Sequence, residues 1–154
     1  MNEMAAVYFV CYGNTCRSPM ATDIFRQLLR RRRKEGVAVD CFGTTPYYPD
    51  NPEVKALRER AVSKVMGNLD GIVRHVPKGV PEVKIRSSDL LVLLAPEYLQ
   101  SLNDQISGMD RPPRIIVWDI PDPFTHPVET YVECAEVLKK QIERNFNLLV
   151  GDSG

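Results

Sequence analysis

One short stretch, residues 5–19, restricts what this chain can fold into more than any other. Ala5–Val10 is a nearly unbroken apolar run with Val, Tyr, Phe and Val, the pattern of a central strand buried on both faces. It breaks into Cys-Tyr-Gly-Asn-Thr-Cys-Arg-Ser-Pro, where Gly13 and Asn14 tolerate a left-handed backbone. Ser18 then suits a helix N-cap, with Pro19 at the first helical position. Met20, Ile24, Phe25, Leu28 and Leu29 follow at helical spacing, and the helix is expected to end near Gly36. Strand, tight polar turn and helix in direct succession are the opening of an α/β unit.

The rest of the chain repeats that alternation. Val37–Phe42 reads as a second strand, residues 43–52 with three prolines as a surface loop, and Glu53–Met66 as a helix. Pro77, Gly79 and Pro81 interrupt residues 68–87, so a loop with a short helix is expected there. Leu90–Leu94 reads as a third buried strand, Pro96–Leu102 as a short helix and Ile115–Trp118 as a fourth strand. A loop rich in Pro and Asp spans 119–127, and Val128–Leu149 reads as one long amphipathic helix ending at Gly151. The expected fold is therefore α/β: a four-stranded parallel sheet with helices on both faces and a phosphate-binding loop after the first strand. Such sheets bind ligands beyond the carboxyl ends of their strands, which brings the loops after the first and fourth strands together.

The 154 residues fit a single domain, 1–154. Lys+Arg and Asp+Glu number 20 each, so the chain lacks the basic signature of a nucleic-acid binder. No run approaches the roughly 20 apolar residues of a membrane span, and no secretory leader is recognisable. A cytoplasmic location follows as the expectation, with Cys11, Cys16, Cys41 and Cys134 reduced.

Cys11 and Arg17, with five residues between them and lying between a buried strand and a helix, carry the chemistry. A phosphate monoester repels an anionic nucleophile, so its hydrolysis requires charge neutralisation and a deprotonated attacking group. A loop of this length can turn several backbone N–H groups inward as an anion nest, with the positive end of the helix dipole behind it. The planar fork of Arg17 can hold two phosphate oxygens where Lys could not. The same field, with the Ser18 hydroxyl, favours Cys11 as a thiolate at neutral pH. The leaving group needs a proton, and the loop after the fourth strand offers Asp119 and Asp122. Residue chemistry alone does not choose between them.

Val10–Pro19 resembles the signature Val-Cys-x-Gly-Asn-x-Cys-Arg-Ser-Pro of the low-molecular-weight protein tyrosine phosphatases, including their protein-arginine phosphatase branch. The resemblance extends over nearly the whole chain. It implies Cys11 as a nucleophile forming a cysteinyl-phosphate, Arg17 as phosphate clamp and Asp122, in Asp-Pro, as general acid. Tyr12, Gly13, Asn14, Thr15, Cys16, Ser18 and Phe124 would complete the substrate site. Asn14 would hold the loop backbone, Ser18 would assist the thiolate, and Cys16 would pair reversibly with Cys11 on oxidation. The implied partners are a phosphorylated protein and inorganic phosphate or other oxyanions, with no cofactor. The family's Ser-Ala-Gly after the second strand is here Cys41-Phe42-Gly43, which puts a supporting bond to Asn14 in doubt. After Asp-Pro only Phe124 remains of two aromatics, and Thr15 resembles the arginine-directed members.

Other residues have plainer readings. Arg30–Lys34 reads as a solvated helix face, with docking of acidic partners as the alternative. His75 and His126 lack metal-ligand spacing, so no metal is expected, although His126 can line the pocket. Cys41 and Cys134 read as packing residues, and Tyr47 and Tyr48 either as cleft walls or as plain loop residues. Phosphotyrosine hydrolysis is the leading function and phosphoarginine hydrolysis the alternative. Arsenate reduction lacks a mid-chain cysteine relay, and an inactive phosphate-binding module would have lost one of Cys11, Arg17 or Asp122.

Overall fold

Strand β1, Ala6–Cys11, is the centre of the molecule, and its Phe9 and Val10 are wholly buried. The computed structural model describes residues 5–47 and 49–151, and Tyr48 lies outside them. Strand β2 (Ala38–Gly43) pairs with one edge of β1, and β3 (Leu90–Leu93) with the other. Strand β4 (Arg114–Val117) pairs with β3, giving a parallel sheet of order β2-β1-β3-β4. The chain moves from β1 to β2 in one direction and from β3 to β4 in the other. Because such crossovers are right-handed, their helices lie on opposite faces, and β1 marks the switch point.

Helices α1 (Arg17–Arg31), α2 (Pro52–Met66) and α5 (Val128–Arg144) pack on one another, and α1 also packs on β1 and β2. Phe9 meets Phe25 of α1 edge-on at 6.0 Å, and Phe25 meets Phe146 at 5.9 Å. On the other face of β1, Tyr8 meets Phe42 at 5.7 Å. Each large apolar side chain so buried contributes about 1.5–3 kcal/mol. Asp89, also buried, accepts the Ala6 amide at 2.9 Å and so satisfies the first donor of β1.

Several boundaries differ from expectation. Helix α1 begins at Arg17 with Cys16 as N-cap, not at Ser18, because the Ser18 hydroxyl is engaged by Cys11 and Asn14. It ends at Arg31 rather than near Gly36. Lys34 N donates to Leu29 O and Arg33 N to Arg30 O, a Schellman closure in which Arg33 itself takes the left-handed position at φ 53°. Residues 68–87 hold two 3-10 turns, Ile72–Arg74 and Val80–Glu82. The short helix α3 (Glu97–Ser101) is followed by an unanticipated α4 (Asn103–Ser107). The long C-terminal helix is broken at Asn145, and α6 (Phe146–Val150) turns so that Phe146 reaches Phe25 and the Arg32 guanidinium.

Candidate active site

The loop from Cys11 to Cys16 owes its shape to what surrounds it. Five consecutive carbonyls are tied outward: Cys11 O to Thr44 N (3.0 Å), Tyr12 O to Thr45 N (2.8 Å), Gly13 O to Tyr47 N (3.1 Å), Asn14 O to His75 Nε2 (2.7 Å) and Thr15 O to Arg58 Nη1 (3.1 Å). Each planar peptide sets its N–H opposite its carbonyl, so the amides that follow turn toward the centre of the loop as an anion nest. Helix α1 starts behind them with no side-chain cap and no acidic residue in its first turn, leaving its dipole end for a ligand.

Asn14 holds the sharpest bend, at φ 57°. Its Nδ2 donates to Ser18 Oγ at 2.8 Å and its Oδ1 accepts Lys78 N at 2.9 Å. Cys41 stands beneath in place of the family's Ser. Cys41 is buried, and burial pushes its thiol pKa up, while the hydrogen-bond partners of the Asn14 side chain are Ser18 and Lys78. Gly43 is required by proximity, since a Cβ there would lie 2.5 Å from Tyr12 O and 2.9 Å from Asn14 N.

Cys11, 3% exposed, ends β1 with its Sγ 2.8 Å from Ser18 Oγ. Asn14 already donates to that oxygen, which leaves the hydroxyl proton for the sulfur. Arg17 is buried; burial works against its charge, but Cys11, Tyr98 and Asp122 together outweigh it and raise its pKa. Its Nη1 donates to Ile120 O at 2.9 Å and its Nη2 to Tyr98 Oη. Asp122 stands 3.5 Å from Nη2 with its side chain 47% exposed, and Phe124 N donates to it at 3.0 Å. One pocket is lined by Cys11, Tyr12, Gly13, Thr15, Cys16, Arg17, Tyr47, Asp122 and Phe124. Asp119 and His126 are not among those lining residues.

Aromatic rings surround the mouth. Tyr12 and Tyr47 lie 5.8 Å apart at 69°, and Tyr47 and Phe124 6.0 Å apart at 39°. The Cys16 thiol contacts Thr15 Oγ1 at 3.6 Å and Tyr131 Oη at 3.4 Å, and burial pushes its pKa up to about 11 despite both contacts. All four cysteines are free thiols. Burial pushes the Cys134 thiol pKa up to about 12. Among the described residues no cluster of His, Cys, Asp or Glu could hold a metal, and no helix is long and apolar enough to cross a membrane.

Tyr98, Arg58, Asp50, His75 and Lys78 were not foreseen as site residues. Tyr98, Arg58, His75 and Lys78 reach the loop or Arg17 across large sequence separations, Asp50 acts through Arg58, and nothing local in the sequence marks them. The exception is the buried Arg58, which a polar position on the apolar face of α2 could have flagged.

A parallel sheet whose central strand delivers a cysteine into an anion nest, opposite a buried arginine, defines a cysteine-dependent phosphatase of the α/β class. Comparison with known proteins gives the family. Residues 6–152 match the model described as low molecular weight phosphotyrosine protein phosphatase, and the chain belongs to that family. It is 30% identical over 146 residues to a protein-arginine-phosphatase of Geobacillus stearothermophilus, covering 90% of this chain and 91% of that one. It is 28% identical over 131 residues to the low molecular weight protein-tyrosine-phosphatase YfkJ of Bacillus subtilis, covering 79% and 81%. The crystal structure of a low molecular weight protein tyrosine phosphatase from T. tengcongensis superposes with a TM-score of 0.77 at 29% identity, covering 94% of this chain and 99% of that one.

Proposed function

We propose that this protein hydrolyses phosphotyrosine in phosphorylated proteins through a cysteinyl-phosphate on Cys11. The observation that carries the reading is the single pocket in which Cys11, Arg17 and Asp122 meet beneath the rings of Tyr12, Tyr47 and Phe124. The nest amides and Arg17 hold the phosphoryl oxygens, and the rings flank a flat phenol. Cys11 Sγ attacks phosphorus as the bond to the phenolic oxygen breaks, and that oxygen takes the proton of Asp122. Asp122, now a carboxylate, accepts a proton from a water whose oxygen attacks phosphorus. The S–P bond breaks, inorganic phosphate leaves and the Cys11 thiolate returns, stabilised by the Ser18 hydroxyl. Cys16, protonated at neutral pH, does not compete as nucleophile.

A second reading, phosphoarginine hydrolysis, is favoured by Thr15, whose side chain lines the same pocket, and by the name of the Geobacillus relative. Turnover of matched phosphotyrosine and phosphoarginine peptides separates the two. Faster turnover of phosphotyrosine, lost for both substrates in Cys11→Ser, is the expected result. Hydrolysis of phosphoarginine alone would replace the first reading with the second.

A further inference from the structure

Arg17 has to present two parallel N–H groups to a phosphate, and a side chain with four rotatable bonds does not hold that pose unaided. Two anchors fix it here. Ile120 O takes a proton of Nη1 and Tyr98 Oη a proton of Nη2. Neither anchor uses Nε–H, so Nε–H and the other Nη2–H form a side-on fork toward the pocket, where Asp122 Oδ2 stands 3.5 Å from Nη2. The guanidinium also lies 5.5 Å from the centroid of the Tyr98 ring. Tyr98 belongs to α3, just after β3, and is 3% exposed, so its hydroxyl is itself held rigidly.

We infer that Tyr98 is the positioning residue of this enzyme's phosphate clamp, its phenol oxygen aiming the Arg17 fork into the loop without touching substrate. A neutral oxygen suits the task. A carboxylate there would draw the guanidinium away from the phosphate, whereas a phenol accepts one hydrogen bond and leaves the charge of Arg17 for the ligand. Burial pushes the Tyr98 pKa up to about 12, with Cys11 adding to the rise, so the phenol stays uncharged across the working range.

The inference rests on Arg17 as phosphate clamp, and the test separates the two. Tyr98→Phe keeps the ring and removes only the oxygen. Tyr98→Met, a second variant without the acceptor, guards against a packing artefact. Both are compared with wild type, Arg17→Ala and the double variants for turnover of a chromogenic aryl phosphate and for inhibition by inorganic phosphate. The expected loss in kcat/KM is about 10- to 100-fold, with weaker phosphate inhibition, an unshifted pH profile and an unchanged thermal midpoint. In the Arg17→Ala background the same changes should cost nothing further. Full activity in Tyr98→Phe, an equal loss with Arg17 absent, or a displaced pH profile would each overturn the inference. Full activity in Arg17→Ala and Cys11→Ser would instead overturn the functional reading beneath it.

Discussion

Two glycines in contact with the loop differ in what a single methyl group would do. At Gly13 a Cβ would meet the Tyr47 ring at 2.6 Å, and that exposed side chain can swing aside. At Gly43 it would meet Tyr12 O and Asn14 N, which are backbone atoms of the nest itself. Gly43→Ala should therefore lower aryl phosphate turnover by about 100-fold, the effect of displacing reacting groups by an ångström. Gly13→Ala should act mainly on aromatic substrates through Tyr47. Steady-state kinetics with an aryl and an alkyl phosphate distinguish them. A Gly43→Ala enzyme with normal turnover would show that the loop has slack.

Secondary-structure elements reach the site through partners remote in sequence. Arg58 of α2 is fully buried, its guanidinium paired with both oxygens of Asp50 (2.8 and 2.6 Å) while also donating to Thr15 O. Asp50→Ala leaves that charge buried and unpaired, at a cost of about 3–5 kcal/mol, and Asp50→Ala/Arg58→Met should recover part of it. Urea unfolding of the three proteins measures this. Helix α1 closes on Arg33 in the left-handed region, where glycine is less strained, so Arg33→Gly should raise stability by about 0.5–1 kcal/mol in the same assay. These partners explain what was legible in sequence. The apolar run, the Cys-to-Arg spacing and Asp122-Pro123 are local patterns, and each maps onto the structure within a residue or two. Ser18 is also a local pattern, but the residue type that caps helices also bonds sulfur, and tertiary structure chose the second use. Tyr98 and His75 carry no periodicity or motif, because only the folded sheet edge brings them to the loop, and Arg58 shows only as a polar residue on the apolar face of α2.

At the scale of the whole molecule, the crossover region 68–87 packs behind the nest and couples loop geometry to pH. His75 donates from Nε2 to Asn14 O; burial, with Arg58 and Lys78 nearby, lowers its pKa from 6.5 to about 4. The unfolded chain therefore takes up a proton at His75 that the folded chain refuses, so stability is complete above about pH 6.5 and falls as the pH drops toward 4. Wild type should lose on the order of 2 kcal/mol more than His75→Gln across that interval. Parallel slopes in urea titrations of the two proteins would contradict this. In the proposed reaction the whole architecture serves one chemical event, the transfer of a phosphoryl group to the sulfur at the end of β1. The direct measurement is intact-protein and peptide mass spectrometry of Asp122→Asn, acid-quenched during turnover of an aryl phosphate with an acidic phenol. That leaving group needs no proton, while the second step still needs the base. The account predicts one added phosphoryl group, confined to the peptide carrying Cys11 and absent in Cys11→Ser. Turnover with no phosphoryl-enzyme, or a phosphoryl group on Cys16 instead, would contradict it.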